Sequence, residues 1–504
     1  MSQQISGGEA FTSISPAEFF YRNRQMAGFG NPTLAVYSTV RELVENSLDA
    51  CDDSGRLPVV TVDITTKDSD AVSVTVSDNG TGVPYEHVAE AFGRVLFGNK
   101  YSARQRRGTF GLGATMAALY GQVTTDCPLE VHTQTEESTG KAYRLFIDIE
   151  HNVPVVETVA DLGREGPGTS VTVHLKGDFK RAQDRVLEYL RMTSVASPHA
   201  RLLLRVNAVP QAEFGPWTDT PPRPTTASKP HPRGADVELL KRMISGNSEK
   251  RLKDFLTGSF QQIGDRTASR LLKYMCLDPR KSVGSFTREE VSLLSAALRS
   301  FDGFDRPEAD CLSPLGKEVF LTSVGATFEV SFSTYSRRGP SDWDGNPFII
   351  EGVLAIGTGL PPSEVPTLYR FANRVPLLYD SSEDVFMKSL KKIDWTRYGL
   401  TASQPVSVFI HLCSTRVPYR AAGKQSIAPI PEIEAEALPL FREMGRAFSK
   451  SAEKIARSAH DIKKLREFAK SFRMVAGFGA ALAESEPPST DHLVASLFEV
   501  NDNV

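Results

Sequence analysis

The stretch Arg41–Cys51, RELVENSLDAC, has the composition of a buried helix, with Leu43, Val44, Leu48, Ala50 and Cys51 apolar. Yet Glu42, Asn46 and Asp49 stand at i, i+4 and i+7 and so share one helical face. A stripe of carboxylate, amide and carboxylate on a largely apolar helix has two readings. It is either the solvated outer face of an amphipathic helix or the wall of a site. Glu45 reads as a supporting or a surface residue. Motifs further along the chain decide between the two.

Working outward, VSDNGTGVP (Val76–Pro84) places Asp78 at the end of a β-rich run. Gly80 and Gly82 after it permit positive φ and a close approach that a side chain would block. Alone, this D-x-G-x-G is also an ordinary turn. Further on, RRGTFGLGATMAALYGQ (Arg106–Gln122) carries Gly108, Gly111 and Gly113 directly into an Ala- and Leu-rich helix. A glycine-rich loop feeding a helix N-terminus presents unpaired N–H groups and the positive end of the dipole, which suits an anion. The pattern is neither the P-loop nor the dinucleotide fingerprint.

Composition bounds the rest. The chain of 504 residues is 40% hydrophobic and 24% charged, ordinary for a soluble globular protein with roughly two to four domains. No apolar run approaches the roughly 18 residues of a membrane span, and MSQQISGGEAFTS at the N-terminus carries no basic-then-apolar signal, so a cytoplasmic location without membrane contact is expected. The five cysteines, Cys51, Cys127, Cys276, Cys311 and Cys413, are far apart and never in C-x-x-C. They predict reduced, mostly buried thiols. The scattered histidines offer no zinc spacing. A formal charge of −3 means that any nucleic-acid contact comes from local patches, of which the run from Lys450 to Arg473 is one.

The pattern along the chain predicts an α+β fold. Helical stretches at 16–29, 34–54, 84–97, 113–121 and 180–197 interleave with a hairpin (VVTVDITTKDSDAVSVTVSDNG) and with LEVHTQTEES, KAYRLFIDIE and GTSVTVHLKG. Helices on one side of a mostly antiparallel sheet is the economical arrangement. Residues 217–234, WTDTPPRPTTASKPHPRG, read as a linker. Residues 235–305 read as all-helical, and about 310–440 returns to strands with ATFEVSFSTYSR, PFIIEGVLAIGT and PVSVFIHLCST. A long helix covers about 431–483, before an acidic tail expected to be partly disordered.

The succession matters more than any single match: E-x-x-x-N-x-x-D on a helix, D-x-G-x-G after a strand, the Gly-rich loop and helix, then GTSVTV from Gly168. It resembles the GHKL ATPase family of gyrase-type topoisomerases, mismatch-repair clamps, heat-shock chaperones and histidine kinases. That resemblance implies an ATP pocket walled by the opening helix. Asn46 would ligate Mg²⁺, Glu42 would orient and deprotonate the attacking water, and Asp49 would share the nucleotide face. Asp78 would accept the adenine amino group between Gly80 and Gly82, supported by Thr169. Gly108, Thr109, Phe110, Gly111, Leu112, Gly113, Ala114 and Thr115 would wrap the phosphates, with Asn99 and Lys100 as further nucleotide contacts.

Within that family, a histidine kinase is disfavoured because the first histidine, His87, comes after the motif. GSFQQIGDRTASRLLKYMCLDPRKSVGSFTREEVSLLSAAL resembles a helix–two-turn–helix module. With CLSPLGKE, GNPFIIEGVLAIGT and YRFANRVPLLYD, the chain resembles the B subunits of topoisomerase VI, type IIB DNA topoisomerases. The resemblance implies a GHKL (Bergerat) ATP-binding domain with an N-terminal arm (1–228), a helix–two-turn–helix domain (229–307), a transducer domain ending in a long helix (308–484) and a tail (485–504). It implies that Lys424, in VPYRAAGKQSIA, enters the ATP site and pairs with the γ-phosphate. It also implies ATP-driven self-dimerisation, a topoisomerase VI A subunit that cuts double-stranded DNA within an A2B2 heterotetramer, and relaxation or decatenation of the duplex. DWDG (Asp342–Gly345) imitates a metal pair without the surroundings of a cleavage domain. The competing expectation is a nucleotide-switched clamp or scaffold of recombination or repair type, without strand passage. Erosion of the ATP motifs would favour it, and they are intact.

Overall fold

The computed structural model describes residues 13–67, 70–98, 104–108, 111–163, 166–400, 404–421, 423–486 and 489. Two compact units result, one of residues 1–393 with 402–441 and one of residues 394–401 with 442–504.

The first unit opens with α1 (Pro16–Arg22) and the long α2 (Pro32–Ser54). Asn31 caps α2 by accepting from Leu34 N at 2.9 Å, Pro32 stands in its first turn, and Gly55 ends it at φ +68°. The hairpin β1 (Val59–Thr66) and β2 (Ala71–Ser77) comes next, then α3 (Tyr85–Gly93) and α4 (Gly113–Thr125). Strands β3 (Leu129–Gln134), β4 (Gly140–Asp148), β5 (Val153–Leu162) and β6 (Gly168–Lys176) lead to α5 (Phe179–Ala196), then β7 (Arg201–Val206) and β8 (Val209–Phe214). Among the described residues these strands make one sheet, ordered β5-β4-β3-β6-β2-β1-β7-β8. Its pairs are antiparallel except β1 with β7.

Alternation fixes the register. Val72, Val74 and Val76 of β2 and Val171, Val173 and Leu175 of β6 point into the core with Val36, Val40 and Val44 of α2. The opposite face carries a polar ladder of Ser77–Ser170, Thr75–Thr172 and Ser73–His174 hydrogen bonds at 2.7–2.8 Å. A slip of one residue would exchange the two faces, so the pairing is well specified. Strands β5, β7 and β8 add to the runs legible in the sequence, and the helix read at 16–29 is α1 followed by a separate 3-10 turn, Arg24–Ala27.

Residues 217–231 form neither helix nor strand. Beyond a 3-10 turn, helices α6 (Val237–Ser245), α7 (Leu252–Ser259), α8 (Asp265–Tyr274) and α9 (Arg288–Ser300) enclose a core of their own around Leu240, Phe255, Leu271 and Leu294. A capping box of Thr287 and Glu290 starts α9.

Helix α10 (Lys317–Thr327) occupies the start of the segment expected to be strand, so β9 begins only at Phe332 (Phe332–Trp343). The apolar spacing of Phe320 and Val324 explains the difference, because both bury fully as a helical face. Strands β10 (Asn346–Ile356), β11 (Thr367–Ala372) and β12 (Val375–Pro376), helix α11 (Val385–Lys391) and strand β13 (Val406–Ser414) complete a second sheet, ordered β12-β11-β13-β10-β9. Asp344 and Gly345 take positive φ in the turn between β9 and β10, so DWDG closes a hairpin. Helix α5 serves two cores: Val186 and Leu190 face the first sheet, while Met192, Val195 and Ala196 meet Phe320, Val324 and Phe409.

Helix α12 (Pro431–Leu482) contributes residues to both units. Within the second unit, a Cβ on Gly445 would lie 2.6 Å from the Tyr398 ring, so glycine permits that close approach. Among the described residues no helix is long and apolar enough to cross a membrane. The tail from 490 onward lies outside the described residues.

Candidate active site

The polar stripe of α2 is not solvated. Glu42 and Asp49 are each 8% exposed, and Glu45 only 2%. Glu42, Asn46 and Asp49 line a cavity of about 540 Å³ together with Asp78, Gly82, Gly108, Gly111–Thr115, Thr169 and Lys424. That volume suits a nucleotide-sized ligand. Gly80 does not line it but packs beneath, where a Cβ would meet Ala50 at 2.8 Å. Asn99, Lys100, Thr109 and Phe110 lie outside the described residues.

Asp78 leaves β2 buried, and its Oδ1 accepts from Gly80 N at 2.9 Å and Thr169 N at 3.1 Å. Two backbone donors fix the carboxylate's orientation at the cavity wall. Thr169 Oγ1 lies 3.2 Å from Thr133 Oγ1, which also accepts from Val83 N at 2.8 Å. Gly82 adopts φ +72°, and a Cβ there would stand 1.9 Å from Gln134 O. No other residue fits that position.

Helix α4 begins at Gly113 with no side-chain cap, and its first residues, Gly113–Thr115, line the cavity. A Cβ on Gly113 would approach Glu42 Oε2 to 1.9 Å. The glycine therefore lets the helix N-terminus, favourable to negative charge, sit against the Glu42 carboxylate.

Behind this wall four charges alternate. Arg41 donates to Glu42 Oε1 at 2.5 Å and to Gly423 O at 2.7 Å, and its Nε lies 3.5 Å from Glu45 Oε1. Lys424, 4% exposed, places Nζ 2.6 Å from Glu45 Oε2 and 3.5 Å from Glu42 Oε2. Burial alone would raise Glu42, but Lys424 and Arg41 outweigh it and bring its pKa down to about 2. Burial pushes Glu45 up, with Glu42 adding to the effect, even though Lys424 is close. The ammonium of Lys424 is stabilised above its usual value because both carboxylates outweigh its desolvation. Glu45 and Arg41 thus belong to the site. The sequence showed no signal for Arg41, and for Glu45 only its place on the motif helix. The reading of Glu45 as a surface residue is corrected: Lys424, far along the chain, covers it.

A second buried cluster holds the start of the glycine loop. Arg107 NH1 bridges Asp49 at 3.1 Å and Asp52 at 2.7 Å, and its NH2 donates to Ser197 Oγ at 2.9 Å. Gly108 N lies 3.4 Å from Asp49 Oδ2. His199 Nε2 meets Asp52 Oδ1 at 2.9 Å, and Arg374 approaches Asp52 at 3.7 Å. Gln105 exchanges two hydrogen bonds with the backbone of Ser313, and Asn373 Nδ2 donates to Arg106 O at 3.1 Å. The loop is thereby bolted to Ser313, ahead of α10, and to the β11–β12 turn. Asp49 therefore secures the loop as well as lining the cavity.

Glu351, His411 and Cys413 also converge, with ligand atoms within 4.8 Å of one another. Glu351 accepts from Leu315 N, Gly316 N and Tyr335 OH and contacts His411 Nδ1 at 2.8 Å, while His411 Nε2 accepts from Arg374 N at 3.0 Å. Both ring nitrogens are engaged, which makes this a structural network and not a metal site.

Two family models match the chain. Residues 32–178 match the histidine kinase-, DNA gyrase B-, and HSP90-like ATPase, and residues 307–464 match the topoisomerase VI B subunit transducer. The B subunit of type 2 DNA topoisomerase 6 from Saccharolobus islandicus (strain Y.N.15.51 / Yellowstone #2) is 40% identical over 451 residues, covering 88% of this chain and 85% of that protein. The chain belongs to the family of type 2 DNA topoisomerase 6 B subunits.

The same-named protein of Metallosphaera sedula is 42% identical over 439 residues, covering 86% of this chain and 83% of that one. Among solved structures, the Aquifex aeolicus MutL ATPase domain complexed with ADP aligns over 81% of this chain and 95% of that chain, with a TM-score of 0.34 and 13% identity. That likeness is too distant to bear on the site. As a topoisomerase 6 B subunit, the chain is the ATPase-bearing component of an ATP-dependent type II DNA topoisomerase. Its cavity walls lie within the ATPase match except for Ala27 and Phe29, just ahead of it, and Lys424, which comes from the transducer match.

Proposed function

We propose that this chain binds ATP between α2 and the 108–115 loop and uses its hydrolysis to gate passage of one DNA duplex through another. The observation that carries the reading is Lys424, a transducer residue buried against the Glu42 carboxylate at the cavity wall. An ammonium there suits a terminal phosphate as a point charge. Asp78 accepts the adenine amino group, with Thr169 supporting it, and Gly82 lets the base come close. The N–H groups at the start of α4 face the phosphates. Glu42 orients the attacking water and takes its proton, which its ionised carboxylate is prepared to do.

Asn46, on the cavity side of α2 one turn after Glu42, fits a hard cation as an amide oxygen ligand. Mg²⁺ held there would neutralise charge on the phosphates. Asn99, Lys100, Thr109 and Phe110 belong to the same proposed nucleotide set.

The proposed domains are 1–228, 229–307, 308–484 and a tail 485–504. ATP binding would bring two copies together through the N-terminal arm and close them over duplex DNA. Loss of the γ-phosphate would release Lys424 and let the transducer swing. Cleavage would fall to a topoisomerase VI A subunit in an A2B2 assembly in the cytoplasm. Phe468, Phe472, Val475, Phe478 and Leu482 share one exposed face of α12, which supports a protein partner on that helix.

Plasmid relaxation tests the proposal. With the A subunit, Mg²⁺ and supercoiled plasmid, relaxation is expected only when ATP is supplied. Nucleotide-dependent dimerisation without relaxation, despite an active partner, would favour the clamp without strand passage.

A further inference from the structure

The carboxylate that grips Lys424 most closely is not the one that faces the cavity. Glu42 and Lys424 line it, while Glu45 lies behind them, 2% exposed. Glu45 Oε2 is 2.6 Å from Lys424 Nζ, against 3.5 Å for Glu42 Oε2. Arg41 completes the arrangement by holding the other Glu42 oxygen and the carbonyl of Gly423, the residue before the lysine. Lys424 itself adopts φ +49°, a left-handed conformation that a non-glycine residue takes only where its surroundings impose it.

This spacing has a chemical consequence. A carboxylate that must take a proton loses basicity when an ammonium sits hard against it. A second carboxylate that draws the ammonium to itself keeps the lysine within reach of the site while holding it back from the Glu42 oxygen, at 2.6 Å against 3.5 Å. We propose that Glu45 is a positioning residue of the ATPase reaction: it anchors Lys424 beside Glu42 without letting it close on Glu42. Glu45 does not line the cavity, and its shortest contact, to Lys424, carries its effect on the site. When the γ-phosphate is present it competes with Glu45 for the ammonium, and when the phosphate leaves, Glu45 takes the ammonium back. The inference rests on the roles of Glu42 and Lys424 proposed above.

A double-mutant cycle in the complete assembly, with the A subunit and DNA, tests it. Glu45→Gln, Lys424→Met and the double variant are compared by kcat and KM for ATP, with thermal unfolding confirming that each is folded. Glu45→Gln is expected to lower kcat about tenfold and change KM less than about threefold; on the Lys424→Met background the same change should alter kcat less than about twofold. Equal losses on both backgrounds would mean that Glu45 acts only through the fold, and the proposal would be overturned. Wild-type turnover in Glu45→Gln would overturn it too. If Glu45→Gln does not fold, the cycle is run with Glu45→Asp, which keeps the charge and shortens the reach. A different result, wild-type turnover and relaxation in Lys424→Met alone, would instead remove the role given to Lys424.

Discussion

Gly113 and Glu42 occupy adjoining space so closely that a single methyl group would collide with the carboxylate, at 1.9 Å from Oε2. Gly113→Ala is therefore expected to leave a folded chain that has lost its base geometry, with kcat for ATP down at least about tenfold and the thermal midpoint little changed. Glu42→Ala removes the proposed base outright. Nucleotide-driven dimerisation should persist while turnover falls at least about 100-fold, measured by ATPase rate beside sedimentation; normal turnover would refute the assignment. At this scale the sequence is legible wherever partners are local. Glu42, Asn46 and Asp49 share a face by helical spacing, and Asp78 and Gly82 mark a turn, but their joining in one site followed from the succession of motifs and the family it resembles. Arg41 could not be read, nor which of the two readings of Glu45 holds, because Gly423 and Lys424, which they hold, lie in a loop near the far end of the chain.

Among the elements, α2 explains why a helix with a polar stripe is buried almost all round: the first sheet covers one face and the cavity, glycine loop and Lys424 loop cover the other. Its C-terminal end carries Asp52, on which Arg107, His199 and Arg374 converge. Burial opposes the Asp52 charge, but Arg107, the hydrogen bond with His199 and Arg374 win and hold its pKa well below the usual range. A carboxyl depressed in the folded state stabilises the fold above its ordinary value of 3.8, and that stability is lost as the pH falls below it. Asp52→Asn should cost about 3 kcal/mol at neutral pH by leaving Arg374 without its anion and Arg107 with Asp49 alone. Its thermal midpoint should also fall less steeply than wild type from about pH 5 to about pH 3. Calorimetry across that range checks both; parallel slopes would show that Asp52 is not the titrating group. The hairpin β1–β2, β6 and the long helices were plain from their periods of 2 and 3.6. The start of α10 was not, because a short run of apolar and β-branched residues fits either period, and packing of Phe320 and Val324 decides it.

For the whole molecule, the ATPase and transducer portions of the first unit meet through apolar packing, with Tyr37 against Tyr379 and α5 against Phe320 and Phe409, and, beside the cavity, at two polar clusters. One is the four-charge cluster around Lys424; the other is the anchoring of Gln105 and Arg106 by Ser313 and Asn373. Nucleotide chemistry at the cavity thus has direct physical contact with the part that would carry motion onward. The central claim is that Lys424 converts the presence of the γ-phosphate into transducer movement. The most direct measurement is ATP binding and ATP-dependent plasmid relaxation by Lys424→Met, assembled with the A subunit. Nucleotide affinity is expected to stay within about fivefold of wild type while relaxation is lost. Relaxation at the wild-type rate would contradict the claim.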